Sequence, residues 1–123
     1  MSARNILGAV AVGRLLFGIW MLVSPGQVAG RWLGRGATGA GNATFVRAVG
    51  GRDVAYALGS LQAVRSGTDP KPWLAASALV DGTDGLATLA AEDVPLGTRL
   101  LSASLALSTV AISVAAALAA DDD

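Results

Sequence analysis

The chain has 123 residues, room for one domain, and contains no cysteine and no histidine. Those two absences exclude disulfides, thiolate or imidazole metal sites, axial haem histidines and Ser-His triads; a metal would find only carboxylates and carbonyls, which points to a hard cation such as Mg²⁺. Nine Lys+Arg balance nine Asp+Glu and form no basic stripe, so nothing here offers nucleic acid a phosphate-tracking surface.

Hydrophobic residues make up 53% of the chain and charged ones 15%. Its mean hydropathy is +0.56. A soluble domain of this size buries roughly two-thirds of the surface its unfolded chain exposes, which leaves this apolar surplus facing water. Lipid removes the difficulty. The expectation is an all-α, four-transmembrane-helix bundle, multi-pass in the cell membrane, with residues 1–123 forming one integral membrane domain.

The first span is read as 5–24. About 20 residues at 1.5 Å each cross a hydrocarbon core of about 30 Å. Arg4 ahead of an apolar run imitates a secretory signal, yet Arg14 lies inside the run and no small-residue cleavage site follows Val23-Ser24-Pro25, so the segment reads as a retained helix. Pro25-Gly26 ends it. From Gln27 to Asn42 the chain holds five glycines with Arg31, Trp32 and Arg35. A tryptophan between arginines suits the headgroup region, so this segment runs along the surface, with a helical turn over Val28 to Leu33.

The second span is 44–65, ended by the polar stretch Ser66 to Pro72. The third is 73–91, opened by Trp73, and Glu92 to Gly97 is the next tight connection. The fourth, 98–119, is a clean apolar run followed by an acidic tail, 120–123. Short connections predict that the last three spans pack as antiparallel neighbours. Trp20, Trp32 and Trp73 read as interface anchors. Both termini fall on one side, and the distribution of Lys and Arg leans towards cytoplasmic termini. A compact soluble bundle is the competing reading; the last helix, whose one ionisable residue is Arg99, argues against it.

Charge within these runs is the informative feature. Arg14 is central in the first span, Arg52 and Asp53 in the second, Asp81 and Asp84 in the third. A lone charge at a helix centre costs about 2.5 to 3.5 kcal/mol on insertion scales, so such side chains turn inward and pair. With Arg47 added, three arginines meet three aspartates in a neutral polar centre, and Arg suits such burial because its guanidinium takes a carboxylate with two parallel bonds. Ser77, Asp81, Asp84 and Thr88 share one face at i, i+4, i+7 and i+11. Arg52, Tyr56 and Gly59 share another. Gly50, Gly51, Ala55 and Ala57 leave room for close helix approach. Ser102, Ala106, Thr109 and Ser113 form a weakly polar stripe whose hydroxyls either complete the network or bond their own backbone carbonyls.

Glycine-rich stretches such as Gly34 to Gly41 lack the strand and lysine of a P-loop, and Asp81-x-x-Asp84 is too short a pattern to indicate a diphosphate site. No cofactor is indicated. The segment Phe45-Val46-Arg47-Ala48-Val49-Gly50-Gly51-Arg52-Asp53-Val54-Ala55-Tyr56-Ala57-Leu58-Gly59, with Ala78-Leu79-Val80-Asp81-Gly82-Thr83-Asp84, resembles a bacterial and fungal domain-of-unknown-function family of small membrane proteins. That family has a Gly-x-Arg-Asp signature in its second helix and an aspartate pair in its third. The resemblance covers about a third of the chain. It implies four-helix topology and a shared polar centre at Arg52, Asp53, Asp81 and Asp84, and no activity.

Three functions fit these residues. In the first, the centre (Arg14, Arg47, Arg52, Asp53, Tyr56, Asp81 and Asp84) binds a small polar ligand or exchanges protons. In the second, an enzyme (isomerase, cyclase or hydrolase) uses Asp53, Asp81 or Asp84 as general acid on a lipid-soluble substrate, the least well paired of the three being the candidate. In the third, the chain is an assembly subunit of a larger membrane complex or a homo-oligomer, docking through the small residues of the last helix. Against all three stands a purely structural role, in which buried ion pairs fix helix register.

Overall fold

The computed structural model describes residues 1–120, so the acidic tail Asp121 to Asp123 lies outside the described residues. Ser2 caps the first helix, α1 (Ala3–Val23), its hydroxyl accepting a hydrogen bond from the Asn5 amide at 3.2 Å. A short helix, α2 (Pro25–Leu33), follows directly. Proline ends the first and opens the second, because the N–H it lacks has no partner at a helix start. A single 3₁₀ turn at Arg35–Ala37 leads to α3 (Ala40–Ser66), α4 (Lys71–Ala90) and α5 (Leu96–Ala119). The described residues contain no strand.

The helices alternate in direction. Leu7 of α1, Leu74 of α4 and Ala116 of α5 meet in one apolar cluster. At the same end, Arg4 donates to the carbonyls of Val64 at 3.3 Å and Gly67 at 3.1 Å, capping the C-terminus of α3. At the opposite end Met21, Val28, Ala29, Val46 and Val49 join α1, α2 and α3, and the Ser102 hydroxyl of α5 donates to the Trp32 carbonyl at 3.1 Å.

Two tight pairs make up the body: α1 against α3, and α4 against α5. In the first, Gly18 and Gly50 face each other so closely that a Cβ on Gly50 would lie 2.9 Å from the Gly18 carbonyl oxygen and 2.8 Å from the Met21 Cβ. In the second, Gly85 sits beneath Leu107 and Ala106. The expectation that α3 and α4 pack as close neighbours is not met. The connection brings their ends together, but the Trp73 ring lies over Gly59, and Tyr56, Arg52 and Asp84 fill the space between the backbones. Trp73, in the first turn of α4, is partly buried against α3.

The interior mixes apolar side chains with polar and charged ones. Buried positions include Arg14, Asp53, Ser60, Ser77, Asp81, Thr88 and Ser113. Large apolar side chains stand outside on every long helix: Leu16 and Val23 on α1, Leu58 on α3, Leu79 and Leu86 on α4, Leu101, Leu105 and Leu118 on α5. Among the described residues two helices, α1 and α5, are long and apolar enough to cross a membrane. The long helices α3 and α4 fall short on composition, because Arg47, Arg52 and Asp53 interrupt the first and Asp81 and Asp84 the second.

Candidate functional site

Arg14, in the middle of α1 and 8% exposed, is the hub. Its Nη1 donates to Asp53 Oδ1 on α3 at 3.3 Å, and its Nη2 to Asp81 Oδ2 on α4 at 2.7 Å and to Ser77 Oγ at 3.2 Å. Ser77, one turn before Asp81 on the same face, donates to the same carboxylate oxygen at 3.3 Å. The guanidinium carbon lies 5.0 Å from the centre of the Tyr56 ring, within cation–π range. The Tyr56 hydroxyl donates to the Trp73 carbonyl, and the two rings meet edge to face at 5.4 Å. Arg14 Nε is sealed without a hydrogen-bond partner.

Arg52 makes the second half. Its Nη1 and Nη2 grip both oxygens of Asp84 at 3.1 and 2.7 Å, while Nε and Nη2 donate to Asp53 Oδ1 at 3.1 and 3.0 Å. A single carboxylate oxygen of Asp53 therefore lies between two guanidinium groups. The network leaves α4 at Asp81, passes through Arg14, Asp53 and Arg52, and returns to α4 at Asp84. It spans the gap between the two helix pairs.

Six of the seven residues assigned to the polar centre converge in this way; Arg47 does not. It is exposed, its Nε donating to the Leu22 carbonyl at 3.4 Å near the end of α1. Five residues separate it from Arg52, a rotation of about 140° around the helix, which points the two in different directions. Two arginines therefore face three aspartates, and the centre is not the neutral set of three and three that depth alone suggested. Of the α5 hydroxyls, Thr109 bonds the Leu105 carbonyl of its own helix and Ser102 reaches α2.

Above this network lies a cleft of about 500 Å³. Arg14, Asp53, Asp81 and Asp84 form its floor. Its walls are apolar: Val10, Gly13 and Phe17 of α1 face Leu101, Leu105 and Ile112 of α5. Trp20, Arg31 and Trp32 close the α2 end, the Arg31 guanidinium lying 5.8 Å from a Trp20 ring centre. The volume is that of a site for a small organic molecule, and a mostly apolar lining with a few convergent polar groups is what such sites share. Nothing in the sequence marked Phe17, Leu101 or Leu105 as cleft residues, because an apolar side chain on an apolar helix carries no sign of which way it faces.

Comparison with protein families, with curated proteins and with solved structures finds no match. The site's chemistry has to be derived from its own geometry. Asp84 is saturated by Arg52, and Asp53 Oδ1 is shared by two arginines. Asp81 has one arginine and one serine, both on Oδ2, and is the least well paired carboxylate of the three.

Proposed function

We propose that this protein is a multi-pass membrane protein, with α1, α3, α4 and α5 all standing in hydrocarbon, and that its ion-paired centre is the floor of a binding site for a small amphipathic molecule. The observation that carries this reading is the cleft itself. A structural clamp would close around its ion pairs, whereas here charged and apolar side chains together line an open space.

The membrane reading is supported by the large apolar side chains exposed on every long helix and by the charges buried between the helices. Leu79 and Leu86, outward on the helix that buries Asp81, are 72% and 64% exposed, so α4 has its apolar side outside and its charge inside. A charged group inserted in hydrocarbon has to face the bundle interior and pair. Helices of 27 and 20 residues reach about 40 and 30 Å, long enough for α3 and α4 to span.

The test is whether the protein carries an occupant. Gly13 lines the cleft, and a Cβ there would meet nothing within 4 Å, so Gly13→Phe adds a bulky side chain at the cleft without a clash at its Cβ. Wild-type protein purified in detergent should release a small-molecule adduct in native mass spectrometry that Gly13→Phe does not retain. Identical spectra from the two would remove the binding reading and leave a structural clamp.

A further inference from the structure

We infer that the cleft takes a lipophilic organic cation with a single positive charge, seated against Asp81. This rests on the proposed binding role and names its ligand class. The first step is charge. Arg14 and Arg52 face Asp53, Asp81 and Asp84, which leaves the ion-paired network one carboxylate in excess; Arg31, the other charged residue lining the cleft, makes no ion pair with that network. An uncompensated charge away from water is costly, and one positive charge seated in the cleft would compensate it.

The second step is position. All the hydrogen bonds to Asp81 fall on Oδ2 and all those to Asp53 on Oδ1. The other oxygens, Asp81 Oδ1 and Asp53 Oδ2, take no hydrogen bond among the described residues, and neither is among the sealed atoms that lack a partner. Both belong to cleft-lining residues. Asp53 already has two guanidinium groups on its bonded oxygen, so the excess charge is least compensated at Asp81.

The third step is chemistry. The described residues hold no group of three ligating side chains able to bind a metal ion. A hydrated inorganic cation would also find Val10, Phe17, Leu105 and Ile112 where it needs water. An organic cation uses those walls. Phe17 of α1 and Leu101, Leu105 and Ile112 of α5 are exposed and line the cleft, so its wall between those helices is apolar. Arg31 restricts the ligand to one charge. It stands beside Trp20, six residues or about 9 Å along α1 from Arg14, and would repel a second cation at that end. The α5 wall contributes Ser102 and Thr109 and no charged group.

Tetraphenylphosphonium, measured by equilibrium dialysis against detergent-purified protein at pH 8, is the probe; tetraphenylborate, the same shape with opposite charge, is its control. The wild type should bind the cation saturably and the anion at least tenfold more weakly. Asp81→Asn should lose at least tenfold in affinity for the cation, while Asp93→Asn, in the α4–α5 connection, should lose none. The comparison of the two ions uses the wild type alone and does not depend on a variant folding. Equal binding of the two ions, absence of saturable cation binding, or cation binding unchanged by Asp81→Asn would overturn the inference. If those results come with a native adduct that Gly13→Phe abolishes, the cleft binds a ligand of another charge; if the adduct is absent as well, the binding reading itself has failed.

Discussion

Arg14 reaches from the middle of α1 to Asp81 in the middle of α4 at 2.7 Å, although the backbones of those two helices make few close approaches. The same guanidinium holds Asp53 of α3 at 3.3 Å. One side chain thus joins the α1–α3 pair to the α4–α5 pair. Removing one partner of a buried pair leaves an uncompensated charge and costs about 3 to 5 kcal/mol, whereas replacing both by apolar residues is often close to neutral. Arg14→Met should therefore lower stability by about 3 kcal/mol in an SDS-unfolding titration. The double variant Arg14→Met/Asp81→Leu should recover part of that loss, and a double variant less stable than the single would show that the pair is worth more than its charge balance.

The glycine doublet in α3 offers a sharper contrast. A Cβ on Gly50 would press into the Gly18 carbonyl and Met21, while one on Gly51 would meet nothing within 4 Å. Gly50→Ala should cost about 1 to 3 kcal/mol by forcing α1 and α3 apart. Gly51→Ala should be neutral or stabilising by up to about 1 kcal/mol, since alanine is the better helix former. The same unfolding titration reads both, and equal effects would place the α1–α3 crossing elsewhere.

Arg47 and Arg52, five positions apart, should also separate. Arg47 is exposed and bonds a single carbonyl, so Arg47→Gln should change stability by less than about 0.5 kcal/mol. Arg52 grips both oxygens of Asp84, a two-point geometry that an ammonium does not reproduce. Arg52→Lys should be the more destabilising substitution despite keeping its charge, as judged by thermal unfolding in detergent.

Depth was legible in the sequence and direction was not. The position of Arg14, Arg52, Asp53, Asp81 and Asp84 within apolar runs is enough to place them at one level, and the i, i+4, i+7 spacing of Ser77, Asp81 and Asp84 is enough to put them on one face. Arg47 lies more than a turn from Arg52 along α3 and points away, bonding the Leu22 carbonyl near the end of α1. Arg52 and Asp53 lie about 100° apart on α3 and still meet, because the long arginine side chain folds back across its neighbour. The pairing of α3 with α1 rather than α4 depends on Gly18 meeting Gly50, and Gly18 is one of 16 glycines with nothing local to distinguish it. The sequence shows α2 as a turn over Val28 to Leu33, and its first residues are harder to place because Pro25 both ends one helix and opens the next.

The central claim is that hydrocarbon surrounds the outside of these helices while their charges lie within, and α4 tests it most directly because its composition alone does not mark it as a span. The chain has no native cysteine, so a nitroxide can be attached at Leu79→Cys, Leu86→Cys or, in the α3–α4 connection, Thr68→Cys, in protein reconstituted into lipid vesicles. Collision rates with oxygen, which concentrates in lipid, and with a water-soluble nickel chelate then report what each position faces. High oxygen and low nickel accessibility at positions 79 and 86, with the reverse at 68, is the expected result; nickel accessibility at 79 and 86 equal to that at 68 would put α4 in water and contradict the account.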